Sequence, residues 1–190
     1  LPHAFVAART SRKPAEVFEM FSPYLLAKVD EKKKGRDPEF AKREAIGELL
    51  DSGWHWRYGR GELDRKEDEV VKDLDPRWLD IAVKQNQIEL VHVLVRPGHA
   101  AANALLSTAF AAGHKKSKSL DDETSVIMRT MVRVRHPEAT DALIAVISKH
   151  AKNAWGWYWI APLIVELPKE AVPKLEALLA TLPDKAVDQL

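Results

Sequence analysis

The chain has 190 residues, 46% of them apolar and 30% charged, and 29 lysines and arginines nearly cancel 28 acidic residues to leave a formal charge of +1. That composition excludes a disordered tail and supplies no global field for steering nucleic acid or an anionic membrane. With no cysteine present, disulfides, thiolate metal sites and cysteine nucleophiles are excluded as well.

Helical periodicity starts at Pro14, where Val17, Phe18, Phe21, Leu25 and Val29 recur at spacings of one, three and four residues. Ser11 or Thr10 is the expected cap, and Pro23 is expected to kink or split the helix. A charged loop, "DEKKKGRD", leads to "PEFAKREAIGELLDSG", in which Asp37 caps, Pro38 takes the first helical position and Gly53 closes. The stretch that follows is glycine-bearing and highly charged, so residues 54–75 are expected to form a long loop or insertion. "LDPRWLDIAVKQNQIELVHVLVRPG" repeats the Asp-Pro opening and is interrupted at Lys84-Gln85-Asn86-Gln87, which predicts two short antiparallel helices. "GHAAANALLSTAFAAG" reads as a small-residue helix ended by Gly113, with "HKKSKS" as a basic loop after it. "LDDETSVIMRTMVRVR", "HPEATDALIAVISKHAK", "AWGWYWIAPLIVEL", "PKEAVPKLEALLATL" and "PDKAVDQL" complete a run of nine or ten helices with short connections.

Strand signals are scarce, with neither an Asn-Gly nor an Asp-Gly hairpin dipeptide. The most apolar stretch, Ala154 to Leu167, is 14 residues long with Pro162 inside it, short of the roughly 20 needed to span a bilayer. A cytoplasmic protein is therefore expected. The chain opens on Leu1 rather than Met and stops at Leu190 within a helical pattern, as a piece of a longer protein would.

Proline-led starts recur at Asp37-Pro38-Glu39, Asp75-Pro76-Arg77, His136-Pro137-Glu138 and Leu182-Pro183-Asp184. The first two lie 38 residues apart. Helix pairs at a degenerate period of this size point to an α-solenoid, in which each pair buries its apolar face on the next.

The segment "VELPKEAVPKLEALLATLPDKAVDQL" resembles HEAT repeats, whose second helices commonly read as a valine-proline start followed by leucines at helical spacing. "HPEATDALIAVISKHA" is similar to the same pattern, and Pro162 sits where first helices of that family are often kinked. "LDIAVKQNQIELVHVLVRPG" resembles an ankyrin helix pair, though Asn86 stands where a turn glycine is usual. The resemblance implies a right-handed α/α superhelix of HEAT-like hairpins, all-α, with residues 1–190 as one helical-repeat domain. It further implies a scaffold that binds other macromolecules and brings no catalytic residue or cofactor.

The chemistry of the chain agrees with that expectation. Among seven histidines there is no HExxH, and Glu89-Leu-Val-His92 is one half of the paired Glu-x-x-His motif of a di-metal bundle. His99 could approach His92, but a solvent-facing or backbone-bonded histidine is the expected role. Serines occur without a GxSxG elbow, and the glycines never fall in phosphate-binding order. The seven carboxylates between Glu62 and Asp75 read as a solvated loop.

Two features remain as candidate partner surfaces. The loop "GWHWRYG" offers Trp54, Trp56, Arg57 and Tyr58 as flat aromatic area beside a planar cation, the composition of a protein-binding hot spot, loop tryptophans tucked back onto the helices being the plainer alternative. Lys115, Lys116 and Lys118, with Arg129 and Arg133 at i, i+4, are candidate phosphate contacts, the lysine-rich solvated loop being the plainer alternative. In the aromatic run Trp155, Trp157, Tyr158 and Trp159, helical geometry sets Trp155 and Trp159 on one stripe with Leu163 and Trp157 on another with Ile160, Ile164 and Leu167. Core packing between neighbouring helices is expected for them ahead of a binding platform. The reading is a non-catalytic protein-interaction scaffold without cofactor or metal. The alternative is a HEAT-like nucleic-acid-binding protein of the DNA glycosylase type.

Overall fold

The computed structural model describes residues 4, 7–8, 11–26, 41–42, 44–45, 74–118, 123–151 and 160–182. All regular structure among them is helical, so the chain is all-α as expected. No helix among the described residues is long and apolar enough to cross a membrane. The chain divides into two compact units, Leu1–Leu94 and Val95–Leu190.

The first unit contains α1 (Pro14–Leu26), α2 (Arg77–Lys84) and α3 (Ile88–Leu94). Val17, Phe18, Phe21 and Leu25 form the buried stripe of α1 predicted from their spacing. The helix runs through Pro23 without being split; a proline removes one backbone donor, and one missing bond does not end a helix whose apolar face is packed. Ser11 does not cap α1. Its hydroxyl donates backwards to the Ala7 carbonyl at 2.7 Å.

At the α1–α2 contact, Phe18 meets buried Trp78 edge-on, with centroids 4.9 Å apart and planes at 71°. Asp75 initiates α2 by accepting the Arg77 backbone N–H at 2.9 Å, the work expected of a residue before a helix-leading proline. The same carboxylate takes Arg77 Nε at 2.9 Å and Nη2 at 3.0 Å, while Nη1 reaches Glu19 on α1 at 2.5 Å. The guanidinium carbon lies 4.1 Å from the Phe18 ring centre. These bonds, Asp75's first and Glu19's second, hold the guanidinium even more firmly protonated than a free one. At the far end of the pair, Gln85 Nε2 donates to the Leu25 carbonyl at 3.0 Å, so α1 and α2 run side by side in the same direction.

The break expected at Lys84–Gln87 is present, and its mechanism is a Schellman cap. Asn86 adopts φ 52°, its N–H donates to Val83, and the Gln87 N–H reaches Ala82 at 2.9 Å. The chain reverses there, and α3 packs back on α2.

The second unit contains α4 (Ala100–Lys116), α5 (Glu123–Arg133), α6 (Ala139–His150), α7 (Ala161–Glu166), a single 3₁₀ turn, η1 (Lys169–Ala171), and α8 (Val172–Leu179). Pro97 and Gly98 turn the chain into α4, Gly98 at φ 84°, a conformation open to glycine at no steric cost. His99 then caps the helix: its Nδ1 accepts the Ala102 N–H at 3.1 Å. The prediction that Gly113 ends this helix is corrected. Gly113 lies inside α4, and His114, Lys115 and Lys116 form its last turn rather than a loop. Gly113 is required for clearance, since a Cβ there would stand 2.6 Å from Thr124 Oγ1 at the start of α5.

Packing in this unit alternates. Besides their sequence-neighbour contacts with α5, α4 and α6 are joined by side chains, α7 packs on α5, and α8 packs on α6. Helices α4, α6 and α8 thus form one layer, and α5 and α7 the other. Helix α5, touched by α4, α6 and α7, is buried on most sides, with Thr124, Ser125, Ile127, Met128, Thr130, Met131 and Val132 all enclosed. Pro162 falls in the first turn of α7 and Pro173 in the first turn of α8, positions where a missing N–H has no helical partner to lose.

Candidate functional site

The loop aromatics Trp54, Trp56, Arg57 and Tyr58 lie outside the described residues, as do Trp155, Trp157, Tyr158 and Trp159. Immediately after the latter, Ile160 and Leu163 are fully buried, while Ile164 and Leu167 are half-buried. Asp75, the last carboxylate of the acidic run, is buried in the Arg77 clamp instead of solvated.

A polar cluster among the described residues sits where α5 turns into α6. Helix α5 ends in a second Schellman cap, with Arg135 at φ 54°, its N–H on Val132 and the His136 N–H on Met131 at 2.8 Å. That turn delivers buried His136 against α4. Its Nδ1 accepts the Glu138 backbone N–H at 3.0 Å, so the ring proton sits on Nε2, which faces the Asn103 carbonyl at 3.1 Å and Ser107 Oγ at 3.2 Å. The Ser107 hydroxyl in turn donates to Glu138 Oε2 at 2.8 Å.

Serine, histidine and glutamate within bonding distance invite comparison with a nucleophilic triad, but the directions are opposite. A triad histidine takes the serine proton through Nε2 and offers Nδ1–H to the carboxylate. Here Nε2 is the donor, Nδ1 is occupied by backbone, and the carboxylate holds the serine directly. The cluster ties α4 to the start of α6 and offers no base to Ser107. His99 behaves likewise, as a backbone-bonded cap rather than a metal ligand. No group of three or more metal-ligating side chains occurs among the described residues.

The candidate phosphate contacts separate into two sets. Lys115 and Lys116 occupy the last turn of α4 and Lys118 follows it, all three exposed. Arg129 and Arg133 share a face of α5, but both are half-buried on the most enclosed helix of the unit and both have partners there. Antiparallel pairing of α4 and α5, with Gly113 against Thr124 and Asn103 near His136, places Arg133 about 13 Å along the axis from the lysine end, at 1.5 Å per residue. The structure therefore does not gather the five cations into one ridge.

A different residue joins the lysines. Lys149 Nζ, in the last turn of α6, donates to the His114 carbonyl, and Ser117 Oγ lies 3.3 Å from His150 Nε2. Helices α4 and α6 run in the same direction and are pinned together at their C-terminal ends. The capping role of His99, expected only as solvent-facing or backbone-bonded, and the Lys149 contact escaped the sequence reading. Only a polar residue placed before a helical run signalled the former, and nothing local signalled the latter.

No family model, no curated protein and no solved structure matches this chain.

Proposed function

We propose that the chain is a non-catalytic protein-interaction module built as a HEAT-like α-solenoid. The observation that supports it most is the alternating packing of Val95–Leu190, in which α5 packs on α4, α6 and α7, and α8 packs on α6, the next helix but one. Stacking of that kind buries a continuous core and leaves long surfaces for a partner. The Val172-Pro173 opening of α8 agrees with the resemblance to HEAT second helices. The reversed polarity of the Ser107–His136–Glu138 cluster favours a structural over a catalytic use of the one Ser-His-carboxylate grouping found among the described residues.

On this reading the partner's anchor is the aromatic segment at Trp54, Trp56, Arg57 and Tyr58, because tryptophan, tyrosine and arginine are enriched among the residues that carry most of the energy at interfaces. The test is affinity capture from native lysate with the wild-type chain and a Trp54→Ala/Trp56→Ala variant matched in thermal stability, with and without nuclease. Protein partners that persist after nuclease and are lost with the variant are the expected result. A chain that retains only nuclease-sensitive partners would instead belong with HEAT-like nucleic-acid-binding proteins of the DNA glycosylase type.

A further inference from the structure

The end of the second unit where α4 and α6 finish carries three lysines that no described residue pairs. Lysines in a last helical turn ordinarily serve the exposed carbonyls of that turn. In α4 that work is done by others: the Ser117 N–H takes the Gly113 carbonyl at 2.9 Å and Lys149, from α6, takes that of His114. Lys115, Lys116 and Lys118 are exposed and make no ion pair or hydrogen bond with any described residue. Arg77 is held by Asp75 and Glu19, and Lys174 by Asp141 at 2.6 Å; among the described residues Lys13, Lys84 and Lys169 are as exposed and unpaired as the corner lysines, but each stands singly on its own element. Three like charges within four residues repel one another.

The platform beneath them is fixed. Lys149 and the Ser117–His150 contact pin α6 to α4, and Gly113 lets the first turn of α5 close against the same turn. Its character also selects the partner. Ala111 and Ala112 are the exposed apolar neighbours, and the large exposed apolar side chains described in this unit, Val165, Val172 and Leu179, belong to α7 and α8. A protein interface needs a desolvated aromatic or aliphatic anchor. A nucleic-acid backbone needs only ammonium groups set against phosphates.

We propose that Lys115, Lys116 and Lys118 form a phosphate-backbone contact through which the chain binds nucleic acid without reading its sequence. Arg129 and Arg133 take no part. The contact is independent of the aromatic loop and of whether a protein partner binds there.

The test is fluorescence anisotropy of short labelled single-stranded and duplex oligonucleotides, titrated with the intact chain over a range of salt concentrations. The triple variant Lys115→Gln/Lys116→Gln/Lys118→Gln is compared with Lys13→Gln/Lys84→Gln/Lys169→Gln, which has the same net charge and removes exposed lysines from other elements. Removing one phosphate-binding ammonium lowers the slope of log K against log salt by roughly 0.7 to 0.9, so the corner variant is expected to lose about 2 to 3 of slope and at least about tenfold in affinity at low salt. The other variant is expected to keep most of the wild-type slope. Circular dichroism melts of both should overlay the wild type, because these side chains hold nothing together. Absence of binding at low salt, or equal weakening by the two triples, would overturn the proposal.

Discussion

A methyl group on Gly113 would stand 2.6 Å from the Thr124 hydroxyl oxygen, so the last turn of α4 and the first turn of α5 meet with no room for a side chain between them. Inside a helix, alanine in place of glycine ordinarily stabilises by about 0.5–1 kcal/mol. Here overpacking reverses the sign. Gly113→Ala is expected to destabilise the chain by about 1–2 kcal/mol in chemical denaturation, since a buried, β-branched Thr124 has little freedom to turn away. Thr124→Ala should remove most of that penalty, giving a favourable coupling of about 1 kcal/mol in a double-mutant cycle. Additive effects would mean that the two turns do not meet this closely.

The two Schellman caps make the opposite prediction. Asn86 and Arg135 hold φ values of 52° and 54°, in the left-handed region that costs an ordinary residue about 1 kcal/mol and glycine almost nothing. Both side chains are exposed. Arg135→Gly should stabilise by about 1 kcal/mol and Asn86→Gly by somewhat less, because asparagine already tolerates this conformation. Asn86→Val should destabilise by about 1–2 kcal/mol, since a β-branched residue is the worst fit there. Shifts in the denaturation midpoint decide both, and a loss of stability on Arg135→Gly would contradict the cap.

In the first unit, Asp75 does two things with one carboxylate, and conservative substitution separates them. Asp75→Asn keeps an acceptor for the Arg77 N–H but loses the charge that pairs with the guanidinium, whereas Asp75→Ala loses both. The alanine variant is expected to cost about 1–2 kcal/mol and the asparagine variant less than half of that. Arg77→Lys should also destabilise, because an ammonium cannot match the two carboxylate oxygens while lying flat over Phe18. Equal losses for Asp75→Asn and Asp75→Ala would show that capping contributes little.

What the sequence made legible follows the range of the forces involved. The buried stripe of α1, the Asp75-Pro76 start, the reversal at Lys84–Gln87 and the opening of α6 after His136-Pro137-Glu138 are local, set by backbone chemistry within a turn or two. Gly113 was misread because glycine carries two meanings, a helix end and a close approach. Choosing between them requires knowing that Thr124 lies opposite. The same applies to the cations. Spacing places Arg129 and Arg133 on one face of α5, but only the packing of α4, α6 and α7 around that helix makes the face an enclosed one. The Asp37, Trp54–Tyr58 and Trp155–Trp159 expectations fall outside the described residues.

The direction of the bonds around His136 gives the last prediction. With Nδ1 accepting from the Glu138 backbone and the Nε2 proton directed at Asn103 and Ser107, no lone pair is left to draw a proton from the Ser107 hydroxyl. A fluorophosphonate probe, which reports activated serines, should therefore leave Ser107 unlabelled in the folded chain, as read by peptide mass spectrometry. Stability should be sensitive to the ring and much less so to the hydroxyl. His136→Ala empties a buried ring site and removes its bonds to the Asn103 carbonyl and the Glu138 N–H, and is expected to cost about 2–3 kcal/mol, whereas Ser107→Ala removes a half-exposed link and should cost about 1 kcal/mol or less. Labelling of Ser107 that disappears with His136→Ala would reverse the assignment and make this turn a reactive site. Absence of labelling together with the unequal stability losses would leave His136 as the tie that holds α6 against α4.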